Sequence, residues 1–553
     1  MEKRKIKEQS VEKKERKIIL VVFIGLILVG LLAVGGFGIN VDENPEIDIA
    51  RMDLKEYVRL FFGEGSKFYR YMDGLIGNLM DSVEIDHGEA VLYPVVVLVS
   101  VLRVLGRADL GMLSYHMYIY VLFLFGLLAA YEVGKYLTGR WFYGLMTACC
   151  LGLNPLLFGM SFINNKDMSM LSLSCICIWF GIQFVEKKTW KWTVLWAIVT
   201  ALTINMRIVG LVYLGLIGLL YLYEFWTCNR DRTTFLKGLT ALLVTVVVFV
   251  AITPATWYSL VGYFAYTASN SVEFLRNDSW ELYCGTLYNY LQNPFPWHYF
   301  LVKFAISTPL LVVGIYIIGQ IGCLVGAVHF KKEKKNWNQW KYIIIFEIII
   351  WVPMLYFMIR NANVTFRHFW FMYPLLTFTG IYIVSRICDT EKIRKYVGSV
   401  LIAQMVICVG LIVVGHPFET TYFNILAGKN VDQRFEYVNI DYYKAALENI
   451  LKMDDREDIL ISSDNLNCYF GIKQAWEVLN PEKKNRIQIA EPDTEECANA
   501  DYHVYGQSVF VQENKMAKLG VGDVVYCTPE EKFNSCEKLG AYGKTVISIW
   551  YNR

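Results

Sequence analysis

The chain has 553 residues, of which 55% are hydrophobic, 15% aromatic and only 19% charged, where soluble domains carry about 25% charged residues. With a mean hydropathy of +0.35, this composition excludes a disordered chain, a coiled coil and a wholly soluble protein. A net charge of +2 offers no electrostatic footprint for nucleic acid, so the expected class is an α-helical polytopic membrane protein.

In chain order, a basic cytoplasmic arm comes first, residues 1–17, with Lys3-Arg4-Lys5 and Lys13-Lys14-Glu15-Arg16-Lys17. The apolar run 18–39 follows. It is too long for a signal peptide and lacks a small-residue cleavage site, which predicts an uncleaved span. Further runs fall at 112–133, 141–160, 168–185, 192–205, 208–225, 239–257, 300–328, 342–358, 369–384 and 397–414. Each is long or apolar enough to read as a helix that satisfies its own backbone in hydrocarbon, about eleven spans in all. Lys and Arg concentrate in the loops on the side of the N-terminal arm, so that side is cytoplasmic and an odd span number places the C-terminus outside.

Within the spanning unit, 18–426, the first external loop is 39–111 and the long external loop 257–299. The first loop contains an amphipathic stretch, 49–62. Residues 427–553 form an acidic tail with no apolar run long enough to cross. Short apolar runs at 458–463 and 545–550 predict strands and 442–452 a helix, hence a small extracytoplasmic α/β domain. Its cysteines, Cys468, Cys497, Cys527 and Cys536, allow three disulfide pairings or none.

Charges at the edge of a bilayer are costly, and here they crowd one face. Asp42-Glu43 follows the first span. Asp86-His87-Gly88-Glu89 lies later in the same loop. Short outer turns carry Asn164-Asn165-Lys166-Asp167, Asn205-Met206-Arg207 and the segment from Arg360 to Arg367-His368; the long loop ends in Trp297-His298-Tyr299, with Lys303 beyond. A partly desolvated carboxylate suits proton abstraction from a hydroxyl. Arginine, lysine and histidine at the same level suit a leaving phosphate. Glu347 is nearly alone in mid-span. No Gly-Lys-Ser/Thr phosphate loop or Gly-x-Gly-x-x-Gly turn is present, which argues against nucleotides as direct substrates.

These motifs in this order resemble the GT-C membrane glycosyltransferases, in particular bacterial glycosyltransferase family 39, related to protein O-mannosyltransferases and to the lipid A aminoarabinose transferase. The likeness rests on Asp42-Glu43; on the segment from Asn154-Pro155 through Gly159 to Asn164-Asn165-Lys166-Asp167; on Pro296-Trp297-His298-Tyr299 with Lys303 and Thr308-Pro309; on Arg367-His368 to Pro374; and on His416-Pro417 to Asn424. Met160 and Asn165 depart from it, standing where the family pattern has His and Pro. The resemblance implies a polyprenyl-phosphate sugar donor in the membrane lipid and an acceptor hydroxyl of unknown kind. It places the catalytic base at Asp42, with Glu43 orienting the site or binding acceptor and Asp167 as a second carboxylate. Arg207, Lys303, Arg360, Arg367 and His368 are then candidates for the donor phosphate, and Asp86, His87, Glu89, Lys166, Trp297 and His298 for substrate. No cofactor is required, although Asp42 and Asp167 together could hold a divalent cation. The competing reading is a transporter or flippase of lipid-linked glycans, whose polar residues would line the depth of the membrane rather than its edge.

Overall fold

The computed structural model describes residues 2–228, 230–272, 279–293, 295–329, 337–360, 364–388, 390–436, 442–463, 465–492, 494–519 and 533–552. All eleven apolar runs are helical. Seven helices are long and apolar enough to cross a membrane: Lys13–Gly36, Ala108–Thr138, Asn165–Lys187, Ile208–Cys228, Arg232–Ile252, Asn338–Ile359 and Glu391–Gly415. Trp141–Gly152 and Pro155–Ile163 make an eighth if this pair, bent by 66°, counts as one span. Trp190–Met206, Leu310–His329 and Met372–Ile387 do not meet the same test, so length and composition support seven or eight spans rather than establish eleven.

The breaks position the polar residues. At the bend, the Asn154 side chain accepts from Leu156 N–H at 3.1 Å and Pro155 takes the first helical position, where a missing N–H costs nothing. Nine residues later Asn164 caps the next helix, Asn165–Lys187, accepting from Asp167 N–H at 2.8 Å. Asn165, where the resemblance leads to Pro, occupies that helix's first position, which tolerates either residue. Asp167 therefore sits in the first turn, where the helix dipole favours a carboxylate. The helix it opens is buried over most of its length, whereas the first span and Arg232–Ile252 are mostly exposed along theirs.

The first loop folds as the helix Glu43–Phe62, a short helix Lys67–Asp73 and the helix Tyr93–Val104. Ile47, Ile49 and Ala50 are buried together with the charged Asp53, Lys55 and Glu56, while Leu60, Phe61 and Phe62 are exposed, so the stretch expected to be amphipathic is a helix whose buried side also carries charge. Its start is held close to the bundle: a Cβ on Gly36 would lie 2.4 Å from His416 Nε2.

In the long loop, β1 (Trp280–Tyr283) and β2 (Thr286–Asn289) form an antiparallel hairpin. The tail carries β3 (Ile459–Ser462), β4 (Ile487–Ile489), β5 (Tyr502–Gly506), β6 (Ser535–Leu539) and β7 (Ile547–Tyr551) in one sheet of order β4-β3-β5-β7-β6. β3 pairs in parallel with β4 and β5, and β7 antiparallel with β5 and β6. The helix Tyr443–Met453 buries Ala446, Leu447, Ile450 and Leu451 as one apolar stripe. Tyr542 Oη donates to Leu411 O at 3.1 Å and Lys515 Nζ to Gly285 O at 2.7 Å, fixing this layer to the spanning helices and the hairpin. Cys468 and Cys497 are buried, Cys536 is half-buried, and Cys527 lies outside the described residues.

Candidate active site

Four side chains from four separate chain breaks meet in one line. Asp42, the residue before the helix Glu43–Phe62, contacts the Arg367 guanidinium. Arg367 Nε lies 3.9 Å from Asp167 Oδ2, and Asp167 Oδ1 contacts Arg207. Asn164 Nδ2 donates to Asp167 Oδ2 at 3.1 Å, so every Asp167 oxygen is engaged. Asp167 is nearly inaccessible, while the Asp42, Arg367 and Arg207 side chains remain 36%, 25% and 20% exposed, open enough to meet a ligand. Asp42, together with Asp167, drives the Arg367 pKa up against the opposing effect of burial.

Behind this line lies a second one. Glu46 Oε1 is 3.2 Å from Lys166 Nζ and 3.0 Å from His87 Nδ1, and His87 Nε2 is 2.9 Å from Glu84. Burial raises the Glu46 carboxyl, but Lys166 and His87 outweigh it and hold it well below the usual range. Burial and then the Glu46 charge push Glu89 well above that range. The surroundings thus favour ionisation at Glu46 and oppose it at Glu89. His368 is held well below its ordinary pKa by burial, then by Arg207, Arg367 and Lys166. It stays a neutral imidazole in a field of cations, able to donate or accept a hydrogen bond without adding charge.

Loop contacts explain the convergence. Asn205 Oδ1 accepts from Ala90 N–H at 3.0 Å, and a Cβ on Gly88 would lie 2.1 Å from Asn205 O. Only glycine lets the 86–89 segment lie flat on the turn that presents Arg207.

Other expected residues sit elsewhere. Glu43 is wholly buried, 2.9 Å from His116 Nε2, and accepts from Asn40 N–H at 2.7 Å; burial raises its pKa. It braces the loop that carries Asp42. Lys303 is also buried: its Nζ donates to Glu281 Oε1 at 2.7 Å, while Tyr299 donates to Glu281 Oε2 at 2.8 Å. His298 Nδ1 is 2.7 Å from Tyr283 Oη, Trp297 is 62% exposed, and Asp86 accepts from Asn270 at 3.2 Å. Arg360 ends the helix Trp337–Arg360, with its side chain outside the described residues. In mid-span, Glu347 accepts from Gln320 at 3.2 Å and Trp351 at 3.1 Å.

Sequence reading assigned no role to Glu46, His116 or Glu281. Glu46 stands three residues after Glu43, on the same helix face, and His116 is a titratable group early in a span; both signals were present. Nothing local marks Glu281. For a cation, the Arg367 guanidinium stands between Asp42 and Asp167. Among the described residues, ligand atoms of Glu84, Asp86 and His87 lie within 4.8 Å of one another, a spacing compatible with a divalent ion.

Residues 97–258, the stretch that supplies Asp167 and Arg207, match the dolichyl-phosphate-mannose-protein mannosyltransferase family. Over that stretch the chain resembles this family of GT-C membrane glycosyltransferases. The match agrees with the resemblance drawn from the motifs, and the long apolar helices are those of a multi-pass membrane protein. Among solved structures, ArnT from Cupriavidus metallidurans in the apo state is 12% identical, with 97% of this chain and 98% of that one covered and a TM-score of 0.44. The same protein bound to undecaprenyl phosphate gives 12% identity, 96% and 97% coverage and 0.43. The oligosaccharyltransferase of Archaeoglobus fulgidus in its apo form gives 10%, 78% and 63%, and 0.37. No curated protein sequence matches the chain.

Proposed function

We propose that the protein transfers one sugar from a polyprenyl-phosphate carrier to an acceptor hydroxyl on the outer face of the cytoplasmic membrane. The N-terminal arm is then cytoplasmic and the C-terminal domain extracytoplasmic. In this scheme Asp42 takes the proton of the acceptor O–H. The freed oxygen attacks the anomeric carbon in line, the bond from that carbon to the phosphate oxygen breaks with inversion, and polyprenyl phosphate leaves with the electron pair. Arg367 and Arg207 meet the charge that develops on the phosphate, with Lys166 close behind. Asp167 holds both guanidinia in place. The donor phosphate competes with Asp42 for Arg367, so donor binding frees the base as it completes the site. A divalent cation has no part in this scheme, because Arg367 supplies the positive charge between the two carboxylates.

The observation that carries this reading is the Asp42–Arg367–Asp167–Arg207 line, a base and a phosphate clamp joined at one membrane edge. Purified protein given a polyprenyl-phosphate sugar and an acceptor is expected to release polyprenyl phosphate. Asp42→Asn is expected to cut turnover by at least about two orders of magnitude, the scale of general-base catalysis. Undiminished turnover in that variant would remove Asp42 from the mechanism.

A further inference from the structure

Beside the candidate active site, the C-terminal domain meets the end of the first span. Lys444, in the first turn of the helix Tyr443–Met453, donates through Nζ to Gly35 O at 2.6 Å and Phe37 O at 3.2 Å. Between the two parts opens a cleft of about 610 Å³ including its mouth. Val34, Phe37 and Leu113 give it an apolar side; Lys444, Glu448 and Lys483 give it a charged one.

Most of its charges cancel. Lys483 pairs with Glu448 at 3.2 Å. His116, also on the wall, pairs with Glu43 at 2.9 Å, and Asp109 with Arg107 at 2.9 Å. Lys444 alone has no carboxylate within ion-pair distance among the described residues. Two helix-end carbonyls compensate an ammonium only in part, and burial presses its pKa down. A cation in that position has a standing affinity for an anion.

The apolar side indicates where the anion comes from. Leu31 and Leu32 of the first span are 56% and 85% exposed, and Val34, just after them, lines the cleft. Leu113, on the cleft wall, is itself partly exposed.

We propose that this cleft binds one anionic lipid from the leaflet at which the first span ends, its phosphate on Lys444 and its acyl stem along Val34, Phe37 and Leu113. The occupant also touches His116, which holds Glu43 and so the loop that carries Asp42. Its binding does not depend on sugar transfer.

The test is native mass spectrometry of the full chain released from nanodiscs of phosphatidylcholine with and without phosphatidylglycerol. Wild type is expected to retain one phosphatidylglycerol, and Lys444→Gln to weaken retention about tenfold, as for the loss of one charge-assisted hydrogen bond. Leu113→Glu places a carboxylate in the cleft without altering the Lys444–carbonyl bonds. It is expected to weaken retention similarly even if Lys444→Gln loosens the domain. Asp42→Asn is expected to retain the lipid, which separates this site from the transfer reaction. Wild-type retention in both cleft variants, equal retention of phosphatidylcholine, or displacement by inorganic phosphate alone would overturn the proposal.

Discussion

Arg367 links the two acids of the candidate site, and its planar fork is what allows one side chain to face Asp42 and Asp167 together. Lysine keeps the charge but reaches only as a point. Arg367→Lys is therefore expected to raise KM for the donor and to lower kcat at least about tenfold, because both phosphate contact and the placing of the base suffer. Steady-state kinetics at varied donor would expose a purely structural role as unchanged KM. The Glu46–His87 pair makes a different prediction. His87 is raised above its ordinary 6.5: burial and Lys166 press it down, but Glu46 and Glu84 outweigh them. The stabilisation it brings is complete below 6.5 and disappears as pH rises through the folded value. Glu46 is depressed below its ordinary 4.5, so its share is present above 4.5 and disappears as pH falls through the folded value. The Tm gap between wild type and His87→Gln is thus expected to be widest between 4.5 and 6.5 and to close at higher pH. A gap that does not change with pH would mean that His87 is held by packing rather than by charge.

Helix ends do the positioning at the next scale. Asn154 and Asn164 are each a cap at a break, and between them the chain turns sharply enough to bring Asp167 to the rim while the helix behind it stays buried. Asn164 both accepts from the Asp167 backbone and donates to its carboxylate. Asn164→Ala is expected to lose about 1 kcal/mol of stability, as for other cap removals, and more activity than that loss alone explains, since Asp167 then anchors two arginines without its own support. Thermal unfolding alongside donor affinity would separate the effects. A variant with lowered Tm and normal donor binding would show that the cap matters to the helix alone.

At the scale of the molecule, the helices Glu43–Phe62 and Tyr93–Val104, the hairpin and the C-terminal sheet all contact one end of the bundle. That arrangement requires them to share a compartment. Cysteines introduced singly as Glu64→Cys and Asp455→Cys, in a background lacking exposed Cys228 and Cys284, are expected to react with a membrane-impermeant reagent added from one side. Lys395→Cys, in the exposed first turns of the last spanning helix Glu391–Gly415, is expected to react only from the other. Labelling of Glu64→Cys and Asp455→Cys from opposite sides would break the topology on which the proposed function depends. Glu347 bears on the transporter reading at this scale: it is satisfied by Gln320 and Trp351 within the bundle, as a packing partner would be.

The sequence by itself determined the membrane class, the helical runs, the mixed α/β tail and which turns carry charge, because hydrophobic run length and the cost of charge near hydrocarbon are local properties. Asp42, Asp167, Arg207 and Arg367 were legible for that reason. Tertiary structure decided which of those charges meet and which are consumed in pairs. Lys303 looked like a phosphate ligand until Glu281, 22 residues away on a hairpin, was found to hold it. Glu43 looked like a partner in chemistry until His116 buried it. Pairing energies depend on distance and on burial, and no sequence spacing fixes either one.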